Sequence, residues 1–167
     1  MGERLLPKSL IEVYAHALII ERTAAKRFAE LERFLRDAGI DDLADEIEAI
    51  RREEFEQYEA LALGTADREL PPIAEWEYSC HFLGPAADRW DPPKTPRDAL
   101  ALALVTERRA QAFYIDVAEH ASDDAVCAFA VEMATDETRH IRRLETLLAR
   151  EPMPAGAEDA DELSLAK

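Results

Sequence analysis

Glu21-Arg22-Thr23-Ala24-Ala25-Lys26-Arg27-Phe28 and Glu107-Arg108-Arg109-Ala110-Gln111-Ala112-Phe113-Tyr114 carry the same pattern, E-R-x-A-x-x-x followed by an aromatic residue. About thirty residues after each comes a second acidic group: Glu54-Phe55-Glu56-Gln57 after the first, Glu137-Thr138-Arg139-His140 after the second. Each half of the chain therefore offers one Glu and then a Glu-x-x-(Gln or His). The doubling fixes what has to be explained, namely four acidic residues at matching places in two similar halves.

Around each of these residues the apolar positions follow the helical period. The first helix is expected from Ser9 to about Asp37, with Ser9 and Glu12 forming a capping box and Gly39 closing the far end. The second is expected from Asp41 to about Leu63, with Leu43, Ile47, Ile50, Glu54, Tyr58 and Leu61 on one face and Gly64 as its stop. The third begins at Thr95-Pro96, with Thr as N-cap and Pro at the first helical position. The fourth is expected to be capped by Ser122 and to end near Arg150. In all four, the singled-out Glu interrupts an apolar stripe, which is a costly place for a carboxylate unless something pairs with it.

Glu21, Glu54, Glu107 and Glu137 all fall near mid-height of their helices. The short links between helices 1 and 2 and between 3 and 4 make each pair an antiparallel hairpin. The connection from Thr65 to Lys94 is long and rich in Pro and aromatic residues. A helix of this size is about 38 Å long, so that connection can run back along the bundle. The expected fold is all-α: a four-helix bundle over residues 1–150, two antiparallel hairpins joined by a crossover at about 65–94. Residues 151–167 read as an acidic, mobile tail. Trp76, Phe82 and Trp90 are expected to anchor the crossover.

The bulk properties agree. Five Gly among 167 residues, with 48% hydrophobic and 34% charged, favour long helices over a turn-rich β architecture. A net charge of −16 argues against nucleic acid and anionic membranes as partners. The start of the chain carries no charged-then-apolar leader pattern, and no apolar run reaches membrane-spanning length. Cys80 and Cys127 stand far apart, so no cysteine-built metal site is expected, and a cytoplasmic location fits.

Four carboxylates and an imidazole at one centre would repel one another unless cations neutralise them, and that donor set suits iron or manganese, with zinc also compatible. The ordered set of four motifs resembles the ferritin-like di-iron carboxylate family, in its rubrerythrin branch, over roughly Leu10 to Leu148. The resemblance implies two metal ions held by Glu21, Glu54, Glu107, Glu137 and His140, with redox activity toward O2 or peroxide. It departs at Gln57, where a second His is expected; an amide oxygen is a weaker ligand, so one metal position is weak, empty or completed from elsewhere, with His81, Glu75 and Glu77 as conceivable substitutes. The cysteine-rich domain of full rubrerythrins is absent, which implies a separate electron donor.

The alternative is a degenerate, non-catalytic helical bundle with a weak or single-metal site, or one whose inward Glu residues pair with Arg22, Arg51, Arg108 or Arg142. Other polar residues read more plainly. Glu53 and Glu56 flank the helix 2 stripe and are expected to face solvent. His16 is expected to be a partly exposed partner of Glu12, and His120 a capping or surface residue at the helix 3–4 corner. Tyr14, Tyr58 and Tyr114 are expected in the core, one of them bonded to a ligand carboxylate. Leu5, Leu6, Ile11, Ile19, Ile20, Trp76 and Trp90 offer apolar surface for a homodimer.

Overall fold

The computed structural model describes residues 6–73 and 92–152. Four long helices account for most of them: α1 (Leu10–Asp37), α2 (Asp41–Gly64), α3 (Pro96–His120) and α4 (Asp124–Arg150). There is no strand among the described residues, and none of the helices is long and apolar enough to cross a membrane.

Local chemistry sets the helix ends. Ser9 and Glu12 exchange side-chain and backbone bonds as a capping box, and Thr95 and Asp98 do the same at α3, where Pro96 opens the helix. Gly39 takes φ +72° just after α1, a left-handed conformation that favours glycine and turns the chain into α2 within three residues. The cap of α4 differs from expectation. Asp123, not Ser122, is the N-cap, its carboxylate accepting from the Ala125 and Val126 amides. Two good capping residues stand side by side, and the anionic one sits where it also favours the helix dipole.

The hairpins are clamped at their faces. Arg36 of α1 lies 2.8 Å from both Asp45 and Glu48 of α2, and Arg108 of α3 lies 2.7 Å from Glu145 of α4. Across the bundle, Arg143 of α4 reaches Glu46 while Gln57 reaches Asp136, so α2 and α4 run antiparallel. Val13, Ala17 and Ile20 of α1 share a cluster with Val117, Phe113 and Ala110 of α3, so that pair is antiparallel too. It follows that α2 and α3 are parallel, and their connection has to return along the bundle. Its described ends lie against α1: Pro71–Ile73 beside His16, and Pro92–Pro93 beside Leu31 and Phe34. The expected anchors Trp76, Phe82 and Trp90, the substitute ligands Glu75, Glu77 and His81, and most of the acidic tail lie outside the described residues.

The apolar core has two parts. One, near the α1–α2 turn, is built around Phe28, Leu31, Leu35, Ile47, Ile50, Leu100 and Leu144. The other, toward the α3–α4 turn, holds Val13, Ile20, Phe113, Tyr114, Val117, Val126 and Met133. Ile20 is therefore core, only 2% exposed, and leaves the set of residues offered for a dimer surface. His16 is also buried rather than partly exposed, its ring 5.4 Å from that of Phe113. Tyr14 and Tyr58 are half-buried against Phe129 and Phe55, outside the fully buried core in which Tyr114 sits. Between the two apolar halves runs a polar layer.

Candidate metal centre

Glu21, Glu54, Glu107, Glu137 and His140 are all buried, and together they form that layer. One donor atom from each of Glu54, Glu107, Glu137 and His140 lies within 4.8 Å of the others. Each comes from the middle of a helix whose apolar neighbours face the same way, so packing the stripes brings the carboxylates together. Glu21 is tied into the layer by Tyr114, whose hydroxyl donates a 2.6 Å hydrogen bond to Glu21 Oε1. Of the three tyrosines, this is the one that bonds a buried carboxylate.

His140 is gripped on both ring nitrogens. Nδ1 faces the layer, 3.1 Å from Glu107 Oε2 and 2.7 Å from Glu54 Oε1; only the Glu107 contact is aligned as a hydrogen bond. Nε2 lies 3.0 Å from Glu53 Oε2. Glu53 was expected in solvent and instead leans inward, its other oxygen 3.3 Å from Arg143 Nη1. A side chain one position off the stripe is long enough to reach the ring from the rim.

Burial makes these carboxylates hard to ionise. Glu21 is held well above the ordinary carboxylate range by desolvation and then by the charges of Glu54 and Glu137, with the Tyr114 hydrogen bond working weakly the other way. Glu107 is pushed up by desolvation and by Glu54. Glu137 rises through desolvation and the charges of Glu107 and Glu54. His140 is pulled down by burial, but its contacts with Glu54 and the charges of Glu54 and Glu137, with Glu53 behind them, outweigh this and raise it to about 9.

Tyr114 and His140 satisfy only part of the layer. Glu21 Oε2, both oxygens of Glu54, Glu107 Oε1 and Glu137 Oε2 are buried without an aligned hydrogen bond. Two of the four arginines expected to neutralise them are engaged elsewhere, Arg51 with Glu32 and Arg108 with Glu145. Unpaired buried carboxylate oxygens are expensive, and Glu54, Glu107 and Glu137 group with one imidazole as donors that could hold a cation. The residues fit one or two divalent metal ions.

Gln57, the residue at the position of the second His, has a partner on α4. Its amide nitrogen donates to Asp136 Oδ2 at 2.9 Å, and it lines a groove of about 300 Å³ between α2 and α4. A second group of potential ligands, Asp116, Glu119 and His120, lies at the exposed end of α3. There His120 Nδ1 lies 2.8 Å from the Asp116 carbonyl, as expected for a helix-end residue.

Residues 15–153 match the ferritin-like domain family. The chain belongs to that family. A solved structure, of an uncharacterized conserved protein from Magnetospirillum magnetotacticum MS-1, is similar with a TM-score of 0.76 and 25% identity, over 88% of this chain and 98% of that one. No curated protein matches the chain. A ferritin-like bundle usually binds metal ions in its core, and the buried Glu/His layer is placed where this one could.

Proposed function

We propose that this ferritin-like protein is a di-metal carboxylate oxidoreductase of rubrerythrin type, holding two metal ions, iron foremost, and acting on O2 or peroxide. The observation that carries the proposal is the cluster of buried, unsatisfied oxygens around His140 Nδ1. Glu54, Glu107, Glu137 and His140 would hold the ions, and Glu21 would close the set on the α1 side. When bound, a ferrous pair supplies electrons to the oxidant, and a separate donor restores them.

The protein's own contributions are positional and electrostatic. Glu53, by occupying His140 Nε2, fixes the tautomer and leaves Nδ1 aimed at the layer. Tyr114 holds Glu21 and supplies a hydroxyl proton at its oxygen. The two apolar core halves keep bulk water from the layer. The raised carboxyl groups retain protons until cations displace them, so uptake of metal releases protons.

The second reading, a single-metal or weakly occupied site in a non-catalytic bundle, draws on Gln57. Its amide is bonded to Asp136, and an amide is a poorer donor than imidazole for late divalent metals. Metal analysis of anaerobically purified protein separates the two readings. About two iron ions per chain, with peroxide or O2 consumption on exposure, support the oxidoreductase. One ion or fewer and no consumption support the scaffold. Gln57→His should raise the content and His140→Ala should lower it sharply.

A further inference from the structure

The groove between α2 and α4 runs lengthwise away from the buried layer. Gln57 and Asp136 close its inner end, while Gly64 at the end of α2, Thr65 and Arg68 just beyond it, and Phe129 on α4 mark the outer end. Gln57 stands three residues beyond Glu54, and Met133 four before Glu137. At 1.5 Å of rise per residue the inner end is about 5 Å along the bundle from those carboxylates. The crossover lines the groove only through its first residues, Thr65 and Arg68, while Pro71–Ile73 and Pro92–Pro93 lie against α1 at His16 and at Leu31.

We propose that this groove binds a small uncharged organic molecule, an apolar or aromatic body with a hydroxyl-type head, and seats the head against Gln57 within reach of the metal centre. The second half of this statement rests on the metal-binding reading above; the first does not. Size is the first reason, since about 300 Å³ is the lower end of pockets that enclose organic ligands and far more than O2 or peroxide needs. Wall chemistry is the second. Tyr14, Leu61, Phe129 and Met133 give an apolar lining, and the edge-on Tyr14–Phe129 pair, with ring centroids 4.9 Å apart, offers aromatic faces.

Charge is the third reason. Glu132 and Asp136 along the α4 wall oppose an anion and Arg68 at the outer end opposes a cation, so the lining favours neither sign of charge. The head is specified by Gln57. Its amide nitrogen is committed to Asp136, whose other oxygen is held by Arg139 at 2.9 Å. With that nitrogen committed, the polar group Gln57 has left to offer a ligand is its carbonyl oxygen, an acceptor that calls for a donor such as a hydroxyl. This gives the residue that departs from the His pattern a role of its own, as the inner wall of a binding groove.

The probe is p-cresol, uncharged at neutral pH, titrated into metal-free full-length protein and followed by amide chemical shifts. Expected is saturable binding with a dissociation constant of about 1 mM or tighter, with shifts centred on Tyr14, Gln57, Leu61, Phe129 and Met133. Gly64→Leu should weaken it at least tenfold; Gly64 lines the groove and a Cβ there meets nothing within 4 Å, so the wall accepts the larger side chain without clash. Ala60→Trp, at the exposed rim, is the second filling variant. With cobalt(II) bound, the cresol signals should broaden, most strongly those beside the hydroxyl. Absence of saturable binding, or binding that survives both filling variants, overturns the groove. Binding that is lost in the variants but shows no broadening on a cobalt-loaded protein overturns its link to the metal centre. Failure of the protein to take up cobalt counts against the metal reading alone and leaves the titration of the metal-free protein to decide the groove.

Discussion

Glu53 Oε2 lies 3.0 Å from His140 Nε2, so a half-exposed carboxylate of α2 holds the outer edge of a fully buried imidazole on α4. The contact orients the ring and makes Nδ1 the nitrogen that meets Glu54 and Glu107. Glu53→Ala should therefore lower metal affinity by about 10- to 100-fold without removing a ligand. Competition against a chelator of known affinity checks this. Glu53→Asp, too short to reach unaided, should fall between the two, and an affinity unchanged in Glu53→Ala would remove Glu53 from the account.

The pH dependence of the metal-free protein has a definite sign. Glu21, Glu107 and Glu137 bind protons more tightly when folded than the ordinary value of 4.5, and His140 is raised from 6.5 to about 9. The folded state thus holds more protons than the unfolded one above pH 4.5, and its stability falls as pH rises. The His140 contribution is complete below pH 6.5 and is lost as pH climbs through 9. Calorimetry in chelator should show Tm falling from pH 5 to 9, whereas a metal-loaded sample should hold or gain, because metal replaces the protons. A metal-free Tm that rises over this range contradicts the assignment.

Glu137→Leu exchanges a buried carboxylate for an apolar side chain of similar size. In the absence of metal this should stabilise the fold by about 1–3 kcal/mol, since a buried carboxyl group with an unsatisfied oxygen leaves the core. The same change should abolish uptake at the position it serves. Urea denaturation with and without metal measures both. Loss of stability in the metal-free variant would mean that Glu137 has a partner that stabilises it.

Tyr114→Phe removes the hydroxyl that bonds Glu21 Oε1 and leaves both oxygens of that carboxylate buried and unsatisfied. A cost of about 1–3 kcal/mol is expected in the metal-free protein. Bound metal should recover part of it by taking over the freed oxygen. Equal losses with and without metal would place Glu21 outside the metal's reach.

Much of the bundle was legible because each helix repeats its apolar positions over many turns. Each inward Glu broke a stripe, and burial of all four with His140 follows from packing those stripes. The misses share a cause. Glu53 lies about 100° around α2 from Glu54, so periodicity sends it to solvent; only the antiparallel approach of α4, with Arg143 and His140 opposite, turns it inward. His16 is off the stripe of Glu21, yet Phe113 of α3 covers it, because α1 is flanked on more than one side. Asp123 displaced Ser122 as cap through a competition that pattern alone does not decide. Gln57 was readable as a departure, but its bond to Asp136 depends on helix register across 79 residues of sequence.

Anaerobic equilibrium dialysis of the full-length protein against ferrous iron tests the central claim most directly. The account predicts saturable uptake approaching two ions per chain, the ion beside His140 held more firmly than the one on the Gln57 side, with proton release on binding. Glu137→Leu and His140→Ala should each remove at least one of them. No saturable uptake, or uptake indifferent to both substitutions, would contradict it.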